Sequence, residues 1–176
     1  SLPEAILRAA RRDTYSRGES RASITQLINA PRVVALREKH ADSLTTDVCD
    51  RIWSLLGTAV HHLLHVGADE GHVAEARLFA DVGGWRISGG VDVQDLDERV
   101  GRDYKVTSIM SVMFDKPDWE AQLNSYAYLV RVNKGIRIEH LEVCAILRDW
   151  RKSDADRTAN YPSEPIVLVP VPVWDD

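Results

Sequence analysis

Asp103 and Lys105 stand two residues apart in GRDYK, and Asp92 stands upstream of them in GGVDV. On an extended strand, residues two apart project to one face, so a carboxylate and an ammonium emerge side by side. Two carboxylates converging on a divalent cation, with a lysine beside them, are the minimal parts for hydrolysing a phosphodiester with metal-activated water. Hard Mg²⁺ or Mn²⁺ prefers carboxylate oxygen and retains several waters, which makes Asp92 and Asp103 the metal-ligand candidates. Lys105 would orient or help deprotonate the attacking water and offset charge developing on the phosphate.

Positioning these groups requires two consecutive strands. Ile87, Gly89 and Val91 alternate with Ser88, Gly90 and Asp92, and a polar turn around Asp97 and Glu98 leads into Val100 and Tyr104. The alternation predicts strands at about 85–94 and 99–107, with Asp92 joining Asp103 and Lys105 from the neighbouring strand. A strand at about 73–82 comes first, joined to the next by Gly83-Gly84 as a tight hairpin, and an antiparallel meander is the simplest arrangement of the three. Upstream, Ser23 is a predicted N-cap for a helix to about Lys39, with Ile24, Leu27 and Ile28 on one side and Pro31 kinking or splitting it. The most periodic helix runs from about Thr46 to His65, where Val48, Ile52, Leu55, Leu56, Ala59, Val60, Leu63 and Leu64 make an apolar stripe, and a loop rich in Gly and Asp ends it. Downstream, a helix from about Pro117 to Val132 has proline in its first turn and Asp118 and Glu120 near its positive end. Gln122 and Tyr126, four apart, fall on one side of that helix, towards Lys105 in this topology. Val143–Leu147 continue as a strand, and Ile166–Val173 as an edge strand because its prolines cannot donate to a ladder. The expected fold class is α/β, or α+β by label: a mixed sheet with a three-strand antiparallel meander, flanked by helices.

Five pieces occur in one order: Gly57 followed by His61 in GTAVH, Glu75 in AEARL, Asp92 in GGVD, Asp103-Tyr104-Lys105, and Gln122 with Tyr126 in QLNSY. In this order they resemble the PD-(D/E)xK nuclease superfamily, and within it the RecB-like exonuclease branch, over roughly residues 23–150. SITQLINAP is similar to the segment that opens many such domains. The resemblance implies a restriction-endonuclease-like core and one or two Mg²⁺ or Mn²⁺ ions. It implies that the backbone carbonyl of Tyr104 reaches the metal, that His61 is a ligand or near neighbour, and that Glu75 touches a metal or holds a metal-bound water. It assigns Gln122 and Tyr126 to positioning the lysine and the nucleic-acid backbone. Imidazole at position 61 would favour Mn²⁺ over Mg²⁺. Apart from the family, His61 reads as a core or boundary histidine, Glu75 as a strand residue paired with Arg77 or Arg86, and Tyr126 as packing with Tyr128 and Leu129. Trp119 either stacks a base or anchors the core. His61 and His65 are also spaced to grip zinc from one helical face, with no HExxH glutamate beside them.

A chain of 176 residues, 44% of them hydrophobic, reads as a single nuclease domain at 23–176 behind a basic leader at 1–22. No apolar run approaches the ~18 residues that span a bilayer, and the N-terminus has no charged-then-apolar secretory signal. The expectation is a cytoplasmic protein of a bacterium or phage-infected cell, with no membrane partner. Cys49 and Cys144 are too few and too far apart for a zinc or iron–sulfur motif, and both read as buried apolar residues. Some RecB-like nucleases carry a cysteine-held iron–sulfur cluster; this chain is expected to have none. It also has no GxxxxGK[ST] loop, so an unwound substrate would come from a helicase or a single-strand-annealing recombination protein.

The net charge of -5 is unevenly spread: residues 1–40 hold eight Lys and Arg against four Asp and Glu, and the remainder holds 14 against 23. The N-terminal part therefore reads as phosphate-facing, with Arg8, Arg11, Arg12, Arg17 and Arg21 following a DNA backbone without reading bases, or else as an ordinary solvated surface. The function expected is a metal-dependent deoxyribonuclease, exonucleolytic, acting in DNA recombination, repair or phage DNA processing. The alternatives are a non-catalytic DNA-binding or assembly module on the same fold, and a restriction-type endonuclease. Oligomeric state stays open, since related exonucleases occur as rings and as single chains.

Overall fold

A computed structural model describes residues 2–11, 18–66, 72–114 and 116–175, without the side chains at 65, 72–76 and 92–94. In chain order the elements are α1 (Glu4–Arg11), β1 (Ala22–Ser23), α2 (Ile24–Ile28), α3 (Pro31–Lys39), α4 (Val48–Val66), β2 (His72–Val82), β3 (Trp85–Asp95) and β4 (Val100–Thr107). They continue as α5 (Met110–Met113), α6 (Pro117–Lys134), β5 (His140–Leu147), α7 (Lys152–Ala155) and β6 (Ile166–Val171). This is an α+β fold with one mixed six-stranded sheet.

The meander forms as the alternation implies. Gly83 and Gly84 take φ of +56° and +79°, the left-handed pair that a two-residue hairpin turn needs to match strand twist. From there β2 and β3 pair antiparallel, running from Val82 opposite Trp85 to His72 opposite Asp95. The other edge of β3 is shared. Parallel β1 takes it at Ile87 and Ser88, and antiparallel β4 takes it at Val93–Asp95. Because β1 occupies one end of that edge, β3 and β4 diverge beyond the Val93–Arg102 pair, and β4 runs on beside β5 in parallel register, Asp103 with Val143 and Lys105 with Ala145. A parallel pair cannot be closed by a tight turn; here α6 is the crossover. The outer β6 pairs with β5 and sets Pro170 opposite Glu142, so the proline does sit on an edge strand.

The core lies between this sheet and α6. Leu123, Tyr126, Leu129 and Val130 pack onto Leu78, Ala80, Ile87, Val91, Val143 and Ala145. Helix α6 starts at Pro117, carries Asp118 and Glu120 in its first turn, and stops at Gly135, whose φ of +71° lets its N–H donate back to the Arg131 carbonyl. Trp119 is half-buried against this core, which is the anchor role.

Several boundaries differ from the sequence-based expectation. The helix predicted from Ser23 to Lys39 is split at Pro31, one of the two outcomes expected of that proline. Ser23 closes a capping box with Gln26, worth about 1 kcal/mol, and Ala30, directly before Pro31, is kept out of the helical region at ψ 120° by the proline ring, so α2 ends at Ile28 and α3 restarts at Pro31. The stretch read as a separate basic leader joins the fold: Ala10 of α1 is buried, Ser20 bonds the buried Ser88 hydroxyl at 2.7 Å, and Ala22 and Ser23 form β1. The apolar stripe of α4 is only partly covered. That helix packs against α1 and β4, leaving Leu55, Val60 and Leu64 half-buried while Ile52, Leu56 and Leu63 face solvent.

The two cysteines also divide. Cys144 is buried on β5, but Cys49 is exposed in the first turn of α4, contrary to its reading as an apolar core residue. Burial raises the Cys144 thiol above its ordinary value, against the pull of Arg102 and with a further push from Glu142. At Cys49 the carboxylate of Asp47 accepts the thiol hydrogen bond and raises it too. A thiol reagent at neutral pH should therefore label the native chain at Cys49 alone, slowly, and faster as pH rises towards thiolate formation. Cys144 should react only in denaturant; equal labelling of both in the native state would contradict the packing of β5.

Candidate active site

Strand β4 delivers Asp103 and Lys105 to one face, and α6 lays Gln122 and Tyr126 over them. Asp103 is 2% exposed. Its Oδ2 lies 2.8 Å from Lys105 Nζ, a charge contact without full hydrogen-bond alignment. Lys105 Nζ donates to Gln122 Oε1 at 3.1 Å. The other end of that amide, Nε2, donates to the Tyr126 hydroxyl at 2.8 Å and more loosely to Asp103 Oδ1 at 3.5 Å. Reversing the amide would face its NH₂ against the ammonium, two donors with no acceptor between them. Tyr126 and Asp103 therefore hold the carboxamide in the orientation that grips Lys105.

The local sequence explains why the groups meet. The two-residue period of β4 places Gly101, Asp103 and Lys105 on the side of the buried Leu141, Val143 and Ala145 of β5. The four-residue spacing on α6 stacks Gln122 one turn before Tyr126. Gly89 of β3 leaves room for the tyrosine, because a Cβ there would meet Tyr126 Cε1 and Leu129 Cδ1 at 2.8 Å. An almost fully enclosed carboxylate with its ammonium partner is costly to break: removing one member of such a pair typically costs about 3–5 kcal/mol. Beyond β4, Asp149 Oδ1 accepts the Ile109 N–H at 2.9 Å and fixes the chain as it leaves the strand.

The remaining predicted residues are placed by backbone alone or lie elsewhere. Register puts Val93 opposite Arg102, so position 92 falls opposite position 103 where β3 and β4 part. Ala74 pairs with Val93 and Ala76 with Val91, which sets position 75 across from position 92. Positions 75, 92 and 103 thus form a row in register across β2, β3 and β4, the first two on paired strands about 4.7–4.9 Å apart and the third at the point where β4 leaves β3. The side chains of Glu75, Asp92 and His65 lie outside the described residues. His61 is half-buried on α4, the helix that packs against β4, and Tyr104 is half-buried between the two site residues of that strand. Among the described residues no three His, Cys, Asp or Glu side chains gather as a metal site would require.

Of the leader arginines, Arg8 and Arg11 are exposed on α1 and Arg12 and Arg17 lie outside the described residues. Arg21 stacks over Trp85, 3.9 Å from the ring centroid. Sequence reasoning missed Asn124, which is buried and ties the C-terminal segment to α6 by donating to the Pro172 carbonyl and accepting the Trp174 N–H. An asparagine among the core-facing positions of a helix was the available signal. A groove of about 480 Å³ on that side of α6, bordered by Leu27, Tyr128 and Trp174, includes none of Asp103, Lys105 and Gln122.

No family model matches the chain, and no curated protein does. Among solved structures it is similar to one described as "Crystal structure of SSO0001", with a TM-score of 0.69 and 16% identity over 100% of this chain and 80% of that one. At that identity the likeness shows the fold. Among the described residues no helix is long and apolar enough to cross a membrane.

Proposed function

We propose that this chain is a metal-dependent deoxyribonuclease of the PD-(D/E)xK superfamily, RecB-like branch, that degrades DNA from its ends in the cytoplasm of a bacterium or phage-infected cell. The observation that carries the reading is the buried Asp103–Lys105–Gln122–Tyr126 network. Its members are four of the residues that the resemblance assigns to the site. A plain structural salt bridge has no need of a lysine gripped from a second side by a glutamine whose own orientation is fixed.

The donor set suits a hard cation. Asp103 and Asp92 would hold it, with the Tyr104 carbonyl, Glu75 and His61 as further ligands, and carboxylate and carbonyl oxygen is what Mg²⁺ or Mn²⁺ takes. When bound, the cation supplies a water of lowered pKa and charge stabilisation at the phosphate. The chain's own part is positional. Lys105, 28% exposed on its side chain, keeps its Nζ at the mouth of the site, where it orients the attacking water and neutralises charge on the phosphoryl oxygens. Gln122 prevents that ammonium from collapsing wholly onto Asp103. A helicase or single-strand-annealing protein would supply opened DNA.

The test is purified protein with end-labelled single- and double-stranded DNA in Mg²⁺, Mn²⁺ or EDTA, alongside covalently closed circles. Label should be released only with the metals, and circles should survive. Discrete fragments from circles would replace the exonuclease with an endonuclease. No metal-dependent cleavage of any substrate would remove the reading.

A further inference from the structure

The β2–β3 hairpin carries a strip of guanidinium and aromatic groups that the proposed chemistry does not use. Strand alternation places Arg77 and Phe79 of β2 on one face with Arg86, Ser88 and Gly90 of β3, and the register pairs Arg77 with Gly90 and Phe79 with Ser88. Arg77 is anchored: its Nη1 donates to Ser88 Oγ at 3.2 Å, and the Ser88 and Ser20 hydroxyls bond each other at 2.7 Å below the surface. Gly90 stands beside it, where a Cβ would make ordinary contact with Arg77 Nη2 at 3.9 Å. Arg86 stacks over Phe79, 5.0 Å from the ring centroid, and Arg21 over Trp85. Trp85 remains 42% exposed at the hairpin tip. A Cβ at Gly18 would come within 3.3 Å of Phe79, so the segment that bears Arg21 lies along the same strip.

Asp81 stands opposite Arg86, and Arg21 and Arg77 share the strip with that pair. Three guanidinium groups, two of them over aromatic rings, fit a ligand that repeats a negative charge and a π-face. A single nucleic-acid strand does so: its phosphates take the arginines and its bases stack on the exposed indole. At about 3.3 Å per residue, Trp85 lies roughly 20 Å along β3 from position 92. That is the length of a few nucleotides.

We infer that Arg21, Arg77, Phe79, Trp85 and Arg86 form a track that binds a single DNA strand and leads it to the row at positions 75, 92 and 103. The binding stands by itself; the destination rests on the nuclease reading. In EDTA, the anisotropy of fluorescein-labelled oligothymidylate gives the affinity and its salt dependence. Each phosphate contact on single-stranded DNA contributes about 0.7 to the slope of log K against log salt. Arg21→Glu with Arg86→Glu should therefore lower the slope by about 1.4 and weaken binding more than ten-fold. Trp85→Ala should raise Kd about ten-fold through one lost stack. Should the double variant lose its unfolding transition, Arg86→Ala, at an exposed position, carries the same test with a slope change of about 0.7. Unchanged affinity and slope in folded variants, or a duplex bound as tightly as the single strand, would overturn the track. Hydrolysis of bis(4-nitrophenyl) phosphate by the wild-type chain with Mn²⁺ is followed separately. Its absence beside arginine-dependent oligonucleotide binding overturns the nuclease reading and keeps the track, and the opposite pair of results does the reverse.

Discussion

Lys105→Ala is expected to lower the proposed metal-dependent DNA cleavage by about 10²- to 10³-fold, the loss usual when one preorganised donor to a developing charge is removed. The side chain lies between Asp103 Oδ2 at 2.8 Å and Gln122 Oε1 at 3.1 Å, so its ammonium is held in place before substrate arrives. The substitution also leaves Asp103 buried without its cation, which destabilises the fold in the absence of metal by about 3–5 kcal/mol. Those two effects separate by measurement. On the proposed reading, added Mn²⁺ would supply positive charge beside the carboxylate, so the variant's thermal midpoint should recover with metal while its cleavage rate should not. Gln122→Leu makes the complementary case: the Lys105–Asp103 contact survives, the ammonium loses its second holder, and activity falls while metal-free stability drops far less. Undiminished cleavage by Lys105→Ala would leave the lysine without a part in the reaction.

The pieces of this site that could be read before the fold was known share one property: their geometry is encoded within a single element. A spacing of two on a strand and of four on a helix suffices to align Asp103 with Lys105 and Gln122 with Tyr126, and Gly83-Gly84 dictates its own turn. What stayed hidden depends on partners far along the chain. Strand β1 is two residues long, too short for any period, and exists only because Ala22 and Ser23 find the free edge of β3. The leader that contains α1 looked like a charged tail because five arginines stand within residues 1–22, although Ala10 of α1 buries itself almost completely. Conversely, α4 carries the most regular apolar stripe of the chain, yet its neighbours α1 and β4 cover only part of it. Cys49 was misjudged from the habit of its residue type, when its place in the first turn of α4 leaves it beside Asp47 and solvent. The fork between β3 and β4, at which positions 92 and 103 stand opposite each other, lies where β1 takes the same edge of β3 and could not be deduced from either strand alone.

Gly89→Ala is expected to destabilise the chain by about 1–3 kcal/mol, an overpacking cost, although it adds a single methyl group. The new Cβ would stand 2.8 Å from both Leu129 Cδ1 and Tyr126 Cε1, distances that packed carbon atoms do not reach. Leu129 is fully enclosed and cannot rotate away, so α6 must lift from the sheet or Tyr126 must shift. Either movement draws the tyrosine hydroxyl off Gln122 Nε2, loosens the amide and frees Lys105 from Oε1. Stability and cleavage should therefore fall together, which distinguishes this substitution from Gln122→Leu. Leu129→Ala alone leaves a cavity and costs about 2–5 kcal/mol. Combined with Gly89→Ala it gives the added methyl somewhere to go, so the double variant should be more stable than the sum of the two losses implies, by the 0.5–3 kcal/mol that contacting residues commonly show. Urea unfolding of the four proteins measures that coupling. Strict additivity would mean that β3 and α6 are not in contact at this point, and with it the support for Tyr126 over the site would be gone.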